Sequence, residues 1–169
     1  MRKKDFISYS PKIEYIGDVK MSLLDKSGRV ISIETHNDGK DALFKYIAMS
    51  LCGIDVHERF PRKLDIINHE TKDSIITSSG KIDVRDKKYV YNNGWYCVLR
   101  FTINRSQILD PTGTIDLILL GGDRGDEAYA VVDGDNHQGL PSSMIQQLVA
   151  GTTLYIEWSL TVRNVTKAS

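Results

Sequence analysis

Histidine and cysteine are the side chains here best suited to metal binding or proton transfer. The histidines are His36, His57, His69 and His137, and each lies in a different loop or strand-end context. None has a partner at the spacing that places two ligands on one face of a helix. Cys52 and Cys97 form no Cys-x-x-Cys unit. We therefore expect no metal ion or cofactor, and we expect both cysteines to be reduced and buried.

The segment 133–143 is a polar loop that begins with two aspartates, Asp133 and Asp135. It is not an EF-hand, because His137 and Gln138 stand where an oxygen ligand and the conserved glycine belong. Turn-forming Asp, Asn and Gly residues favour an ordinary surface loop. A calcium site of another type, using Asp133 and Asp135, remains an alternative.

Hydrolytic catalysis requires paired carboxylates in a cleft, or a nucleophile beside a base. The sequence has no Gly-x-Ser-x-Gly, P-loop or Gly-x-Gly-x-x-Gly motif. Carboxylates on predicted strands are expected on the solvent face, as alternating strands place them. These are Asp65, Asp83, Asp116 and Glu157. We therefore do not expect an enzyme.

Tyr89, Tyr91 and Trp95 cluster around a predicted hairpin whose turn is Asn92-Asn93-Gly94. Aromatic residues that alternate on a hairpin are typical of cross-strand packing pairs. Exposed rings can also stack on sugars or bases, so carbohydrate binding by this patch is an alternative. The chain has 22 basic and 22 acidic residues, and this balance predicts neither nucleic-acid nor membrane binding.

Two periodicities indicate the elements that must position these residues. Val19, Met21 and Leu23 alternate with polar residues, the turn 25–28 follows, and residues 30–34 resume a strand. The period then changes to four at Leu43, Ile47 and Leu51, which predicts one amphipathic helix at about 39–52.

Short strands separated by turn residues fill the rest of the chain. They are expected at 64–68, 74–78, 81–84, 89–91, 95–103, 114–120, 127–132 and 153–162, with a short helix at 144–148. This pattern predicts a mostly β, single-domain antiparallel sandwich or jelly roll with one helix after the first hairpin. The domain is expected to span 18–165, with an extended arm at 1–17 and a tail at 166–169.

The predicted arm carries several large apolar residues around Pro11, and these are costly to leave in water. Docking on a neighbouring subunit would bury them. The candidate assembly residues are Phe6, Tyr9, Ile13 and Tyr15. The beginning Met-Arg-Lys-Lys-Asp has no apolar stretch of the kind found in signal peptides, so we expect no such peptide.

Two stretches resemble small structural proteins of tailed bacteriophages. The first runs from Leu24-Asp25-Lys26-Ser27-Gly28-Arg29-Val30 through Thr35-His36-Asn37 into the predicted helix, and the second is residues 151–164 around Trp158. In those proteins a hairpin leads to a helix, and a final strand completes a β-sandwich. Together the two stretches cover about 50 of the 169 residues, and their motifs are structural rather than catalytic.

The resemblance implies a virion component, made in the bacterial cytoplasm, that assembles in the tail, collar or head–tail region. A capsid decoration protein is the next expectation. Its partners would be other virion proteins and further copies of itself in a symmetric ring or shell. The alternative is a stand-alone β-sandwich module that binds carbohydrate or a host surface.

Overall fold

The computed structural model describes residues 13–77, 80–91, 95–109, 113–135, 145, 147–148 and 152–164. The strands are β1 (Ile13–Leu24), β2 (Val30–Gly39), β3 (Lys63–Asn68), β4 (Ile82–Asp83), β5 (Asp86–Tyr91), β6 (Trp95–Asn104), β7 (Ile115–Gly121), β8 (Glu127–Val132) and β9 (Thr153–Asn164). One α-helix, α1 (Asp41–Leu51), follows β2, and short 3₁₀ turns occur at His57–Arg59 and Arg105–Gln107. The mostly β class and the helix after the first hairpin are thereby confirmed.

All nine strands belong to one curled antiparallel sheet in the order β4-β3-β7-β8-β2-β1-β9-β6-β5. Strand β2 joins the two halves of this sheet, which are β4-β3-β7-β8 and β1-β9-β6-β5. Its residues Val30–Asn37 pair with β1, and Asp38 and Gly39 then pair with β8. The predicted sandwich or jelly roll is not confirmed, because this shared strand makes the two halves one sheet. The alternation of a strand tells which face is buried, but not whether its neighbours form one sheet or two.

The core lies between the inner faces of the two halves. Val19, Leu99 and Trp158 contribute from the β1-β9-β6 half, and Leu64 and Leu119 from the β3-β7 half. All five are fully buried. Antiparallel register places Val19, Trp158 and Leu99 side by side in one row across three strands. This row is the reference for locating the aromatic residues described below.

Helix α1 covers the sheet only with its first half. Leu43 is buried, whereas Leu51, which the sequence pattern placed on the buried face, is 81% exposed. The helix ends at Leu51, and Gly53 follows it with a positive φ of 73°, which suits a residue without a side chain. In the described residues no helix is long and apolar enough to cross a membrane.

Strand β1 begins at Ile13, within the segment 1–17 that was expected to be an extended arm, and pairs with β9 from that residue onward. Among the described residues, 13–16 pair with β9, and Gly17 pairs with both β9 and β2. The expected strand 74–78 forms only isolated bridges at Ser74 and Ile76. Positions 144 and 146 of the helix predicted at 144–148 lie outside the described residues.

Candidate functional site

Three exposed aromatic side chains lie on the inner face of the sheet, where it extends beyond the core. Side chains alternate between the two faces along a strand, and Trp95 is an even number of residues from the buried Leu99 and Phe101 on β6, so it points to the same side. Register places Tyr91 opposite Trp95 and Tyr89 opposite Cys97. The rings are therefore a continuation of the core that the other half of the sheet does not cover. Their exposed fractions are 71% for Tyr89, 62% for Tyr91 and 52% for Trp95.

Tyr89 and Trp95 line a groove of about 230 Å³, which we call the aromatic cleft. Helix α1, the loop before β3 and the strands β1, β5, β6 and β9 form its walls. The lining residues are Tyr15, Leu43, Tyr46, Ile47, Phe60, Pro61, Tyr89, Trp95, Tyr96, Cys97 and Leu160. The lining is almost wholly apolar, so the cleft suits an apolar group. An engineered cavity of about 150 Å³ already accepts benzene, so a groove of this volume can hold an aromatic ring.

The aromatic rings of the cleft pack on one another. Tyr89 and Trp95 stack with ring centroids 5.1 Å apart and an interplanar angle of 5°. Tyr91 contacts Trp95 with ring centroids 4.6 Å apart and an interplanar angle of 52°. The predicted cross-strand packing is thus present, and so is the exposure on which the sugar-binding alternative depends. At the rim, the Lys87 ammonium lies 4.5 Å from the centre of the Phe60 ring, within the range of a cation–π contact.

Tyr15 holds the end of β1 against helix α1. Its hydroxyl donates a 2.9 Å hydrogen bond to Oδ1 of Asn37, and its ring meets Phe44 edge-on at 5.7 Å. Burial, followed by the nearby charges of Asp18 and Asp38, raises the pKa of the Tyr15 phenol. Tyr15 is one of the residues of the extended arm that were expected to contact a neighbouring subunit. Within its own chain it makes these contacts and forms one wall of the cleft.

A second cluster, the His69 cluster, consists of His69, Lys72, Asp116, Asp133 and Asp135. Its members lie at one end of three adjacent strands. His69 and Lys72 follow the end of β3, Asp116 is the second residue of β7, and the two aspartates follow β8. The order β3-β7-β8 in the sheet therefore brings together residues far apart in the chain. The backbone N–H of His69 fixes its place by donating to the carbonyl oxygen of Thr114 at 2.9 Å.

Asp116 is the centre of the His69 cluster. Its carboxylate is 2.8 Å from Nδ1 of His69 and 3.2 Å from Nζ of Lys72, and it accepts a 2.9 Å hydrogen bond from the N–H of Gly134. The side chain is only 5% exposed. Burial disfavours its charge, but the hydrogen bonds from Gly134, His69 and Lys72 prevail and hold the pKa of Asp116 below its usual range.

The imidazole of His69 meets carboxylates at both nitrogens. Nε2 lies 2.7 Å from Asp135, and Nδ1 lies 3.5 Å from Asp133 in addition to its contact with Asp116. The hydrogen bond to Asp116, with help from the charges of Asp116 and Asp135, raises the pKa of His69 against the opposing effect of burial. Two acceptors favour the doubly protonated ring, so the cluster fastens the segment after β8 to the sheet.

Nitrogen and oxygen atoms of His69, Asp116 and Asp133 lie within 4.8 Å of one another and could serve as metal ligands. A metal ion needs a deprotonated imidazole nitrogen, whereas this ring is placed to donate through both nitrogens. Lys72 also supplies positive charge to Asp116. The geometry therefore favours a proton-dependent contact over a cation site.

Sequence reasoning missed the His69 cluster because it treated each histidine separately and expected Asp116 to face solvent. Asp116 and Asp65 are in fact buried, 4% and 8% exposed. A usable signal was present in the sequence. Asp116 is the one polar residue of the segment 115–120, and the other five are apolar, which is typical of a strand buried on both faces.

The other predicted site residues are distributed differently from expectation. Phe6 and Tyr9 lie outside the described residues, and Ile13 is the first residue of β1. Cys97 is half-buried in the cleft wall, but Cys52 is exposed just after α1, so the expectation of two buried thiols is wrong for Cys52.

A polar groove of about 320 Å³ lies among the loops around His57, Glu58 and Asp123. A 3.0 Å ion pair between Arg59 and Asp123 crosses it. Asp123 is 61% exposed, so this pair contributes little to stability and creates no desolvated site.

No family model, curated protein or solved structure matches this chain. The function must therefore be inferred from the geometry of these surfaces.

Proposed function

We propose that this protein is a structural component of a tailed-bacteriophage virion and assembles through protein–protein contacts in the tail, collar or head–tail region. The aromatic cleft carries the proposal, because it is an apolar part of the sheet's inner face that the described residues leave exposed. The resemblance of the hairpin, helix and final strand to small virion proteins supplies the class. In this proposal the facing halves of the curled sheet correspond to the two layers of a virion β-sandwich.

The size of the exposed surface supports an assembly role. A buried aromatic side chain covers on the order of 200 Å². At the exposed fractions of Tyr89, Tyr91 and Trp95 the three rings together present about 350 Å² of largely apolar area. That area reaches the size of the largest apolar patch on a typical monomer, and such patches are often binding sites. The balance of 22 positive and 22 negative residues also leaves little net repulsion between copies.

Quantitative mass spectrometry of purified particles, normalised to the major capsid protein, tests the proposal. A few copies per particle, in a ring-like ratio, are expected for a tail, collar or head–tail component. Hundreds of copies would instead assign the protein to the capsid surface as a decoration protein. Absence from clean particles would reject the virion role.

A matched pair of variants asks whether the cleft drives incorporation. Trp95→Ser removes the central ring of the patch, and Leu51→Ser removes an apolar side chain that is 81% exposed outside the cleft lining. Particles complemented with the first variant should lack the protein, and particles with the second should retain it. Equal incorporation of both variants would show that the cleft is not the assembly surface.

Carbohydrate binding is the second candidate, favoured by the exposed stack of Tyr89 on Trp95. A sugar ring could lie on the outer face of either side chain. A glycan array followed by calorimetric titration would detect it, and Trp95→Ala should abolish the signal. Binding that survives this substitution would place the sugar elsewhere, and a blank array would remove this candidate.

A further inference from the structure

The chain enters the sheet at the mouth of the aromatic cleft. Tyr15, the third residue of β1, lines the cleft, and the next inward-facing residue with a side chain, Val19, belongs to the core. Ile13, the first residue of β1, is only two positions before Tyr15, so residues 1–12 are joined to the sheet next to this groove. A short apolar segment and an uncovered apolar groove are therefore joined at one point of the fold.

The composition of residues 1–12 fits the cleft. Phe6, Ile7 and Tyr9 are large apolar side chains, separated from β1 only by Ser10-Pro11-Lys12. The cleft of about 230 Å³ has an almost wholly apolar lining, and it can accept an aromatic ring but offers little to a charged group. Phe6 and Tyr9 therefore match the groove in polarity and size.

We propose that the apolar residues of segment 1–12 of one copy bind in the aromatic cleft of a second copy. This inference rests on the proposed assembly function and names the occupant of the same surface. The direction of β1 favours a second copy over the chain's own cleft. Pro11 has a fixed φ and biases Ser10 toward an extended conformation, so the chain tends to continue outward.

An outward chain reaches well beyond its own groove. At about 3.3 Å per residue, Tyr9 lies some 13 Å and Phe6 some 23 Å from Ile13 when extended. A segment of this length can reach the cleft of a neighbouring molecule. The segment and the cleft are different surfaces, so the contact is heterologous and closes into a ring when the rotation between copies permits.

Cysteine cross-linking tests the proposal directly, because Cys97 already lies in the cleft wall. The test protein is the full chain with Tyr9→Cys and Cys52→Ser, the second change removing the exposed thiol. A mixture of ¹⁵N-labelled and unlabelled protein is oxidised, and disulfide-linked peptides are identified by mass spectrometry. The control carries Cys97→Ser in addition, and a second test protein places the new thiol at position 6 by Phe6→Cys.

We expect a disulfide between the introduced thiol and Cys97, with labelled and unlabelled peptides joined in mixed pairs. Disulfides formed only within single labelled or unlabelled chains would show that the segment occupies its own cleft and would overturn the proposal. Failure of both positions to react with Cys97 would overturn it as well.

A measurement without a new cysteine guards against a variant that folds poorly. In the Cys52→Ser protein, the reaction of Cys97 with a thiol reagent should slow as protein concentration rises, by about fourfold at ten times the dissociation constant, because each copy supplies one segment and one cleft. Deletion of residues 1–12 should remove this dependence. A rate independent of concentration up to the solubility limit would overturn the proposal. The particle measurement is independent, so a virion protein with a segment bound to its own cleft would disprove only this inference.

Discussion

Replacing Asp116 by asparagine removes one negative charge from the buried centre of the His69 cluster and keeps the size of the side chain. The asparagine amide oxygen can still accept the hydrogen bond that Gly134 donates to Asp116 at 2.9 Å. It can no longer balance the charges of His69 and Lys72, which contact the carboxylate at 2.8 Å and 3.2 Å. The substitution therefore isolates the electrostatic part of this contact.

The expected size follows from burial. A hydrogen bond to a charged group contributes about 1.5–3 kcal/mol, and the side chain of Asp116 is only 5% exposed. Lys72 is 60% exposed and can be solvated without its partner, so its share is small. We expect Asp116→Asn to lower the free energy of unfolding by about 2 kcal/mol at pH 6, where both the carboxylate and the imidazole are charged.

Urea unfolding followed by tryptophan fluorescence measures this change, because Trp158 is fully buried in the core. The matched control is Asp83→Asn, which removes an exposed carboxylate on the edge strand β4 and should change stability by less than about 0.5 kcal/mol. The double variant Asp116→Asn, His69→Gln should lose less free energy of unfolding than the sum of the two single losses, because both changes break the same contact. A loss no larger than that of Asp83→Asn would refute the central role assigned to Asp116.

Three further outcomes are expected from the same surfaces. Because the pKa of His69 is raised in the folded protein, its contribution to stability is complete below the unfolded pKa near 6.5 and is lost as pH rises through the folded pKa. His69→Gln should therefore flatten the fall of the urea midpoint between pH 6 and 8. An unchanged slope would show that His69 is not the group responsible for this pH dependence. Gly134→Ala should lower the free energy of unfolding by about 1–3 kcal/mol, because the added methyl group overlaps the carbonyl oxygen of Ile115. A variant as stable in urea as the parent protein would show that the segment after β8 can move to make room for the methyl group. Thiol labelling of the native protein should show a fast phase from exposed Cys52 and a slow phase from Cys97, whose pKa is raised by burial. Cys52→Ser should therefore remove the fast phase. If this variant lost the slow phase, Cys97 would be the more reactive thiol and the prediction would be wrong.

Local patterns predicted the elements that local physics controls. The alternation of Val19, Met21 and Leu23 and the turn at 25–28 produced the first hairpin, which forms as expected. The spacing of Leu43 and Ile47 predicted helix α1, and the alternation at 153–162 predicted β9. Each of these patterns depends on neighbours within a few residues, and such signals are fully present in a single sequence.

The differences from expectation share another cause. Strand β1 begins at Ile13, earlier than the alternation from Val19 indicated, because β9, more than a hundred residues away in sequence, pairs with β1 from Ile13 onward. Leu51 was placed on a buried face, but the helix extends past the surface that it covers. Both differences concern the length over which two elements meet, and this length depends on partners distant in the chain.

The sequence by itself determined the mostly β class, the helix after the first hairpin and the apolar character of the residues around Trp95. Only the tertiary structure decided that Tyr89, Tyr91 and Trp95 are an uncovered continuation of the core. It also decided that His69 meets Asp116, because the sheet order β3-β7-β8 makes neighbours of strands that are separated in the chain. The physical reason is the same in both cases: side-chain alternation is fixed locally, whereas strand pairing and the coverage of a face are set by the whole sheet.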